Sequence, residues 1–384
     1  MRTWEQQMKI LADQNMPLVE EYFSDLGEVK RFDGRNLASE ALRDVDVLLT
    51  RSVTQVNKDL LSEANQLKFV GTATIGIDHI DTELLAQNNI AFSSAPGCNA
   101  IAVAEYVISA LYAYSQETNT KLAGKTLAII GVGSIGQCLH DKLLGMGIEL
   151  VLCDPIRYEN GTLNEHIELD TALSKADFVT FHVPLIKCGE HKTHHLLNAE
   201  RINKLKSGMV VINASRGEVI DNQALLTALD SGKKLELVLD VWENEPNILT
   251  DLLSYVRFSS VHIAGHTQEG KARGTQMLYQ GVCRLFDVPA TKTLADFLPI
   301  PALTKCQIEQ TLTEHDLGRI VHLVYDIRRD DGLLRANLQN QGFDSLRKNY
   351  PPRREFSTLS IENRSEHGAM LAQLGFNVIE KNEE

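Results

Sequence analysis

The chain has 384 residues, is 43% hydrophobic and 23% charged, and carries a formal net charge of −13. That length exceeds one ordinary core and points to two or three domains. The acidity argues against non-specific binding to nucleic acid or an anionic membrane, while leaving room for local basic patches that hold a small anion.

The opening "MRTWEQQ" is a polar lead without the basic-then-apolar plan of a secretory signal. Six cysteines, at 98, 138, 153, 188, 283 and 306, contain no C-x-x-C pair. They are expected as reduced thiols, and the protein as cytoplasmic. In the first hundred residues the apolar runs "KILAD", "DVLLT", "KFVGTA" and "IAFSSA" alternate with amphipathic stretches such as "MPLVEEYFSDLG", which closes on Gly27. This is the rhythm of a parallel sheet covered by helices. The most lipid-like stretch, "NAIAVAEYVISALYAYS" (99–115), contains Glu105 and falls short of a span. Crossing a bilayer takes roughly 20 apolar residues, so a buried helix joining two βα units is predicted.

The second unit starts at "KTLAIIGVGSIG" and continues through "ELVLCD", "ADFVTFHVP", "GMVVINAS", "LELVLDVW" and "FSSVHIAGH", which predicts a doubly wound sheet. Its first turn holds Gly131, Gly133 and Gly136 in G-x-G-x-x-G spacing, after a strand and before a helical pattern. The first glycine suits a tight turn, the second a close pyrophosphate, the third helix–strand packing. Asp154 ends the next strand, eighteen residues past Gly136, where a carboxylate accepts from adenosine ribose hydroxyls. The expected cofactor is therefore NAD, with Arg157 nearby keeping NADP open.

Ligands of such sheets bind beyond the strands' carboxyl ends. There stand Arg216 in "NASRGEVID", Asp240 and Glu245 in "LDVWENEP", and His262 in "VHIAGH". A His can take the hydroxyl proton of a 2-hydroxy acid, a Glu can fix its tautomer, and an Arg can hold the carboxylate. From spacing alone, Glu245 fits equally a solvated loop acid before Pro246, and Arg216 a salt bridge. His262 and His266 stand four apart, but Gly265 and the preceding strand argue against a helical metal pair. "HKTHH" (191–195) is read as a polar surface loop, His79 as a packed or capping residue, and Cys98 as unactivated. No metal is expected.

After about residue 288 the prolines of "VPATKTLADFLPIPAL" mark a linker. Between 319 and 354 eight Lys/Arg face four Asp/Glu, a basic stretch in an acidic chain.

The Gly loop, "NASRGEVIDNQALLTAL", "LDVWENEP" and "HIAGHT" resemble the D-isomer-specific 2-hydroxyacid dehydrogenases. The resemblance implies catalytic roles for Arg216, Glu245 and His262, and cofactor contacts from Ser134, Ile135, Asp154, Val183, Ala214, Ser215, Asp240 and Gly265. "RSVTQVN", "KFVGTATIGIDHID", "SAPGCNAIAVAEYV", "GKARGT", "HLVYDIRRDD" and "LRKNY" extend it over nearly the whole chain, towards a branch that acts on a phosphorylated sugar acid. In that branch Ser52 and Thr74 match substrate contacts, Arg51 is a phosphate partner, and the tail dimerises. Three positions depart: His266 for an expected Tyr, Val261 for a frequent Pro, and Val183 for a Thr. His266 becomes a candidate substrate ligand.

The implied fold is α/β: two doubly wound parallel-sheet domains, flavodoxin-like and Rossmann, plus a small α+β C-terminal dimerisation domain. The expected boundaries are 1–99 for a substrate or lid domain (completed by about 268–288), 100–267 for the NAD domain, and 289–384 for the dimerisation domain. The implied partners are a phosphorylated sugar acid and a second copy of the chain, with neither nucleic acid nor membrane. A dehydrogenase for another acid such as 3-phosphoglycerate, and a non-catalytic NAD-sensing protein of the corepressor kind, remain as alternatives.

Overall fold

The computed structural model describes residues 8–363 and 366–380, and the polar lead "MRTWEQQ" lies outside them. The chain forms two compact units, Met1–Asn99 with Thr267–Ile300, and Ala100–His266 with Pro301–Glu384.

The first unit opens with β1 (Met8–Asp13), α1 (Val19–Phe23), β2 (Gly27–Phe32), β3 (Val47–Thr50) and β4 (Phe69–Thr72). It continues with α2 (Thr82–Gln87) and β5 (Ala91–Ser93). The order β2-β1-β3-β4-β5 is parallel throughout and matches the flavodoxin-like winding. All four expected apolar runs are strands. β3 and β4 are wholly buried, which is why they read as unbroken apolar runs. β2 has no counterpart in the sequence reading. Its "GEVKRF" mixes charge with apolar residues because it is an edge strand, where charge discourages further pairing.

α3 (Ala100–Thr118) is the predicted linking helix and is buried for most of its length. It leads into β6 (Thr126–Ile130), α4 (Ser134–Leu143), β7 (Glu149–Cys153), α5 (Pro155–Glu159), α6 (Leu169–Lys175) and β8 (Phe178–Phe181). Then come α7 (Ala199–Lys204), β9 (Met209–Asn213), α8 (Asn222–Asp230), β10 (Leu235–Leu239) and β11 (Val256–Ser259). The parallel order is β11-β10-β9-β8-β6-β7. The winding reverses between β6 and β8, so the crevice for a ligand opens at the carboxyl ends of these two strands.

α9 (Gln268–Leu285) returns the chain to the first unit, where Leu278 and Val282 share a core with Phe69. The expected linker is held there too, since Lys292 Nζ donates to the Glu21 carbonyl at 2.6 Å and pairs with Asp25. The last segment runs β12 (Lys305–Ile308), α10 (Glu314–Val324), α11 (Ile327–Gln341), α12 (Phe343–Lys348), β13 (Ser360–Asn363), α13 (Gly368–Leu374) and β14 (Asn377–Glu380). Its three strands are all parallel, so the expected α+β piece is a small parallel sheet flanked by helices. It does not stand apart from the nucleotide sheet. One continuous core joins Val103, Tyr106 and Leu139 to Leu317, Phe356 and Leu374. Glu314 ties the same surfaces by accepting from Leu122 N and Ser115 Oγ.

Candidate active site

The glycine loop sits between β6 and α4, at the point where the winding reverses. Gly131 has φ +89, and a Cβ there would meet the His182 carbonyl carbon at 2.8 Å. A Cβ on Gly136 would meet the Gly131 carbonyl oxygen at 2.1 Å. Both glycines are therefore demanded by packing. Gly133 is different: a Cβ there meets nothing within 4 Å. Gly133 and Ser134 are exposed at the start of α4, so a ligand that approaches the backbone closely explains this glycine where internal packing does not.

The rest of the loop fits NAD. Asp154 Oδ2 accepts from Val132 N at 2.8 Å, and Oδ1 accepts from Arg157 N at 3.0 Å, which fixes the carboxylate beside the loop. Arg157 is occupied by its own neighbourhood: its Nη1 donates to the Val132 carbonyl and to Gln137, and Nη2 donates to the Thr162 carbonyl at 2.7 Å. A guanidinium so engaged is not presented to a 2′-phosphate, which weakens the NADP alternative. Ile135 and Val183 are half-buried flanks of this loop, and Ala214 and Ser215 are buried just beyond β9.

Past β9, β10 and β11 three turns converge. Gly217 lets two of them touch, because a Cβ there would lie 2.0 Å from the Trp242 carbonyl. Arg216, exposed before it, is steadied by Nη1 donating to the Ser215 carbonyl at 2.8 Å. Glu245 is held by Trp242 N donating to Oε1 at 2.9 Å. Its Oε2 lies 2.8 Å from His262 Nδ1. That bond assigns the proton to Nδ1 and leaves Nε2 as an acceptor. His262 has φ +58, a left-handed conformation that costs a non-glycine residue of order 1–3 kcal/mol.

Asp240, expected on the cofactor side, also builds this turn. It is 1% exposed, Oδ1 accepts from Ser260 Oγ and Ile263 N, and Oδ2 accepts from Ala264 N at 3.0 Å. Gly265 and His266 come next in the chain, with the His266 ring 6.3 Å from that of Tyr350. The sequence-predicted His262 and Glu245 are thus in contact, and Arg216 stands on a turn packed against the Glu245 turn.

Of the substrate-side candidates, Arg51, Ser52 and Thr74 belong to the first unit and His266 to the second. Arg51 and Ser52 lie just past the carboxyl end of β3, and Thr74 just past β4. Thr74 Oγ1 donates to the Gly76 carbonyl at 2.8 Å, and Thr72 Oγ1 lies 2.9 Å from Nε2 of His79. His79 is buried and packed, and desolvation lowers its pKa.

"HKTHH" is not a plain surface loop. His195 Nε2 lies 2.6 Å from Glu243 Oε1 and its Nδ1 lies 3.4 Å from Asp221. Glu243 also accepts from Asn222 N, and Asp221 caps α8. This cluster braces the "WENEP" segment from behind. Its acids lie 26 and 48 positions away in sequence, so local spacing held no sign of them. His182, too, has no signal in the sequence reading: it lies just past β8, buried, and burial pushes its imidazole down to about 3.

The comparisons now bear on this geometry. Residues 102–267 match the D-isomer specific 2-hydroxyacid dehydrogenase, NAD binding domain, and residues 297–375 match a domain of unknown function. The erythronate-4-phosphate dehydrogenase of Pseudoalteromonas translucida is 65% identical over 371 residues, covering 97% of this chain and 100% of the relative. The chain belongs to the erythronate-4-phosphate dehydrogenase family. The enzyme of that name from Proteus mirabilis is 48% identical over 376 residues, 97% of this chain and 100% of that one. Among solved structures, the NAD+-bound 3-phosphoglycerate dehydrogenase of Entamoeba histolytica superposes with TM-score 0.61 at 21% identity. It covers 76% of this chain and 100% of that chain. D-Lactate dehydrogenase of Aquifex aeolicus, complexed with NAD and lactic acid, gives 0.56 at 24%, covering 72% and 95%. These last two show the fold. The chain is an NAD-dependent dehydrogenase acting on a CH–OH group. Among the described residues, no helix is long and apolar enough to cross a membrane.

Proposed function

We propose that the protein oxidises 4-phospho-D-erythronate at C2 to 2-oxo-3-hydroxy-4-phosphobutanoate, in the pathway to pyridoxal 5′-phosphate. The observation that carries the chemistry is the 2.8 Å contact between His262 Nδ1 and Glu245 Oε2 beside the Arg216 turn. The substrate assignment is supported by relatives at 65% and 48% identity that carry this activity in their name.

Bound NAD supplies the hydride acceptor. His262 Nε2 takes the C2 hydroxyl proton as the hydride leaves. Glu245 fixes the tautomer and stabilises the imidazolium that results. Arg216 holds the C1 carboxylate and draws charge from the C2 oxygen, as a forked guanidinium does well. Ser52 and Thr74 are assigned as polar ligands of the substrate, Arg51 as a partner of its phosphate, and His266 as a further ligand. Gly133, Ser134 and Ile135 receive the pyrophosphate, and Asp154 the adenosine ribose.

We further propose a cytoplasmic homodimer joined through the C-terminal segment. Light scattering of the full chain at micromolar concentration is expected to give twice the chain mass, and a monomer contradicts it. The functional reading is tested by NADH absorbance with NAD and a panel of 2-hydroxy acids. Turnover is expected with 4-phospho-D-erythronate far above erythronate and 3-phosphoglycerate. Equal rates on unphosphorylated acids overturn the phosphate assignment, and a preference for 3-phosphoglycerate favours the alternative dehydrogenase.

A further inference from the structure

We infer that the C-terminal segment is part of the catalytic apparatus, with Asp331, Arg347 and Arg353 as positioning residues that clamp the turn carrying His262. The inference rests on the reading of His262 as the acid/base.

A left-handed, non-glycine residue persists only where its surroundings over-determine it. The nucleotide sheet supplies half of that constraint. His262 N donates to the Asp240 carbonyl at 2.7 Å, and the Asp240 carboxylate takes the amides of Ile263 and Ala264. This fixes the turn's N–H groups, and the Ile263 carbonyl accepts from His266 N at 2.7 Å within the turn itself. The C-terminal segment takes the carbonyls on either side, those of His262 and Ala264. Arg347 Nε donates to the His262 carbonyl at 3.2 Å, and Arg353 Nη1 donates to the Ala264 carbonyl at 3.0 Å. A third point lies just before the turn, where Asp331 Oδ1 accepts from Ser259 N at 2.9 Å and from Ser259 Oγ at 2.6 Å.

Two of the three clamp residues, Arg353 and Asp331, are themselves held. Arg353 is buried, stacks 3.5 Å above the Tyr325 ring, and donates through Nη2 to the Ala102 carbonyl at 2.7 Å. Tyr325 and Tyr350 both donate to Asp330. Asp331 receives Arg335 Nε at 2.9 Å, and Arg335 donates onward to the Leu253 carbonyl. The nucleotide sheet therefore satisfies the catalytic turn's amides, and the C-terminal segment its His262 and Ala264 carbonyls. A nucleotide sheet without this segment would leave His262 and Ala264 carbonyls to water. The basic stretch of the tail acquires a purpose: Arg335, Arg347 and Arg353 are spent on this turn and its support.

The test uses full-length wild type, Arg347→Ala, Arg347→Lys and Asp331→Ala. Hydrogen exchange of a peptide spanning 259–266 is read by mass spectrometry without substrate, with a β6 peptide as the fold control. Exchange at 259–266 is expected to quicken at least tenfold in Arg347→Ala and Asp331→Ala, and to recover in Arg347→Lys, while β6 stays protected. In turnover, kcat of Arg347→Ala is expected to fall about 10–100-fold, the usual cost of a group displaced by about an ångström. The NADH dissociation constant stays within about twofold, a split that general loosening of the fold does not produce. Unchanged exchange at 259–266 in both variants overturns the clamp, whatever the substrate proves to be. Faster exchange in a chain whose wild type turns over no 2-hydroxy acid upholds the clamp and overturns the functional reading instead. If Arg347→Ala does not fold, Asp331→Ala decides by the same peptide.

Discussion

At the scale of single residues the account turns on His262. Its ring is half-buried and oriented by one carboxylate, so in the proposed mechanism its removal strikes proton transfer and leaves the glycine loop untouched. His262→Ala is expected to lower kcat by about 10²–10⁴-fold, with the NAD dissociation constant near that of wild type. Near-normal kcat would remove His262 from the mechanism. His266 asks a separate question, since an imidazole stands where a phenol was expected. If it binds the substrate as a cation, KM rises from pH 6 to 8 in the wild type and stays flat in His266→Tyr; superimposable profiles make it a bystander. His262, Glu245 and Arg216 were legible because each stands after an apolar run at a strand's end. Their supports were not: Asp331, Arg347 and Arg353 bond the turn across 72, 85 and 89 residues, with no local spacing to betray them.

Elements decide where those residues stand, and the glycines separate packing from ligand approach. Gly136→Ala sets a methyl 2.1 Å from the Gly131 carbonyl oxygen, so the β6–α4 unit must shift. It is expected to lower the melting temperature and weaken NADH binding together. Gly133→Ala meets no protein atom within 4 Å. It is expected to melt like wild type yet bind NADH at least tenfold more weakly, as fluorescence titration would show. Equal NADH affinity would deny that the cofactor approaches this residue's backbone. The sequence revealed these elements well where strands are buried on both faces. It hid β2, an edge strand whose charge alternates with apolar residues, and it placed the end of β11 too far along. "FSSVHIAGH" is continuous to the eye, but pairing stops at Ser259 and the turn begins.

For the molecule as a whole, stability has an acid limb with a named source. Burial holds the His182 imidazole near 3, against about 6.5 for a free one. The folded state refuses a proton that the unfolded chain accepts, so the contribution of the neutral ring is complete above about 6.5. It is lost as the pH falls from there towards 3. Urea midpoints from pH 7 to pH 4 are expected to fall more steeply in wild type than in His182→Gln, and parallel curves would contradict this assignment. The sequence reading set 289–384 apart as a domain, whereas residues to Ile300 belong to the first unit and a continuous core through Phe356 and Leu139 joins Pro301–Glu384 to the nucleotide sheet. A proline-rich stretch marks where the chain leaves one unit, but it carries no sign of whether the C-terminal segment packs alone. Most direct for the central claim is a single turnover on 4-phospho-D-erythronate deuterated at C2, with NAD and enzyme in excess. The account predicts one deuterium on the reduced nicotinamide, none left at C2 of the product, and loss of the signal in His262→Ala. Unlabelled NADH, or no NADH at all, would contradict it.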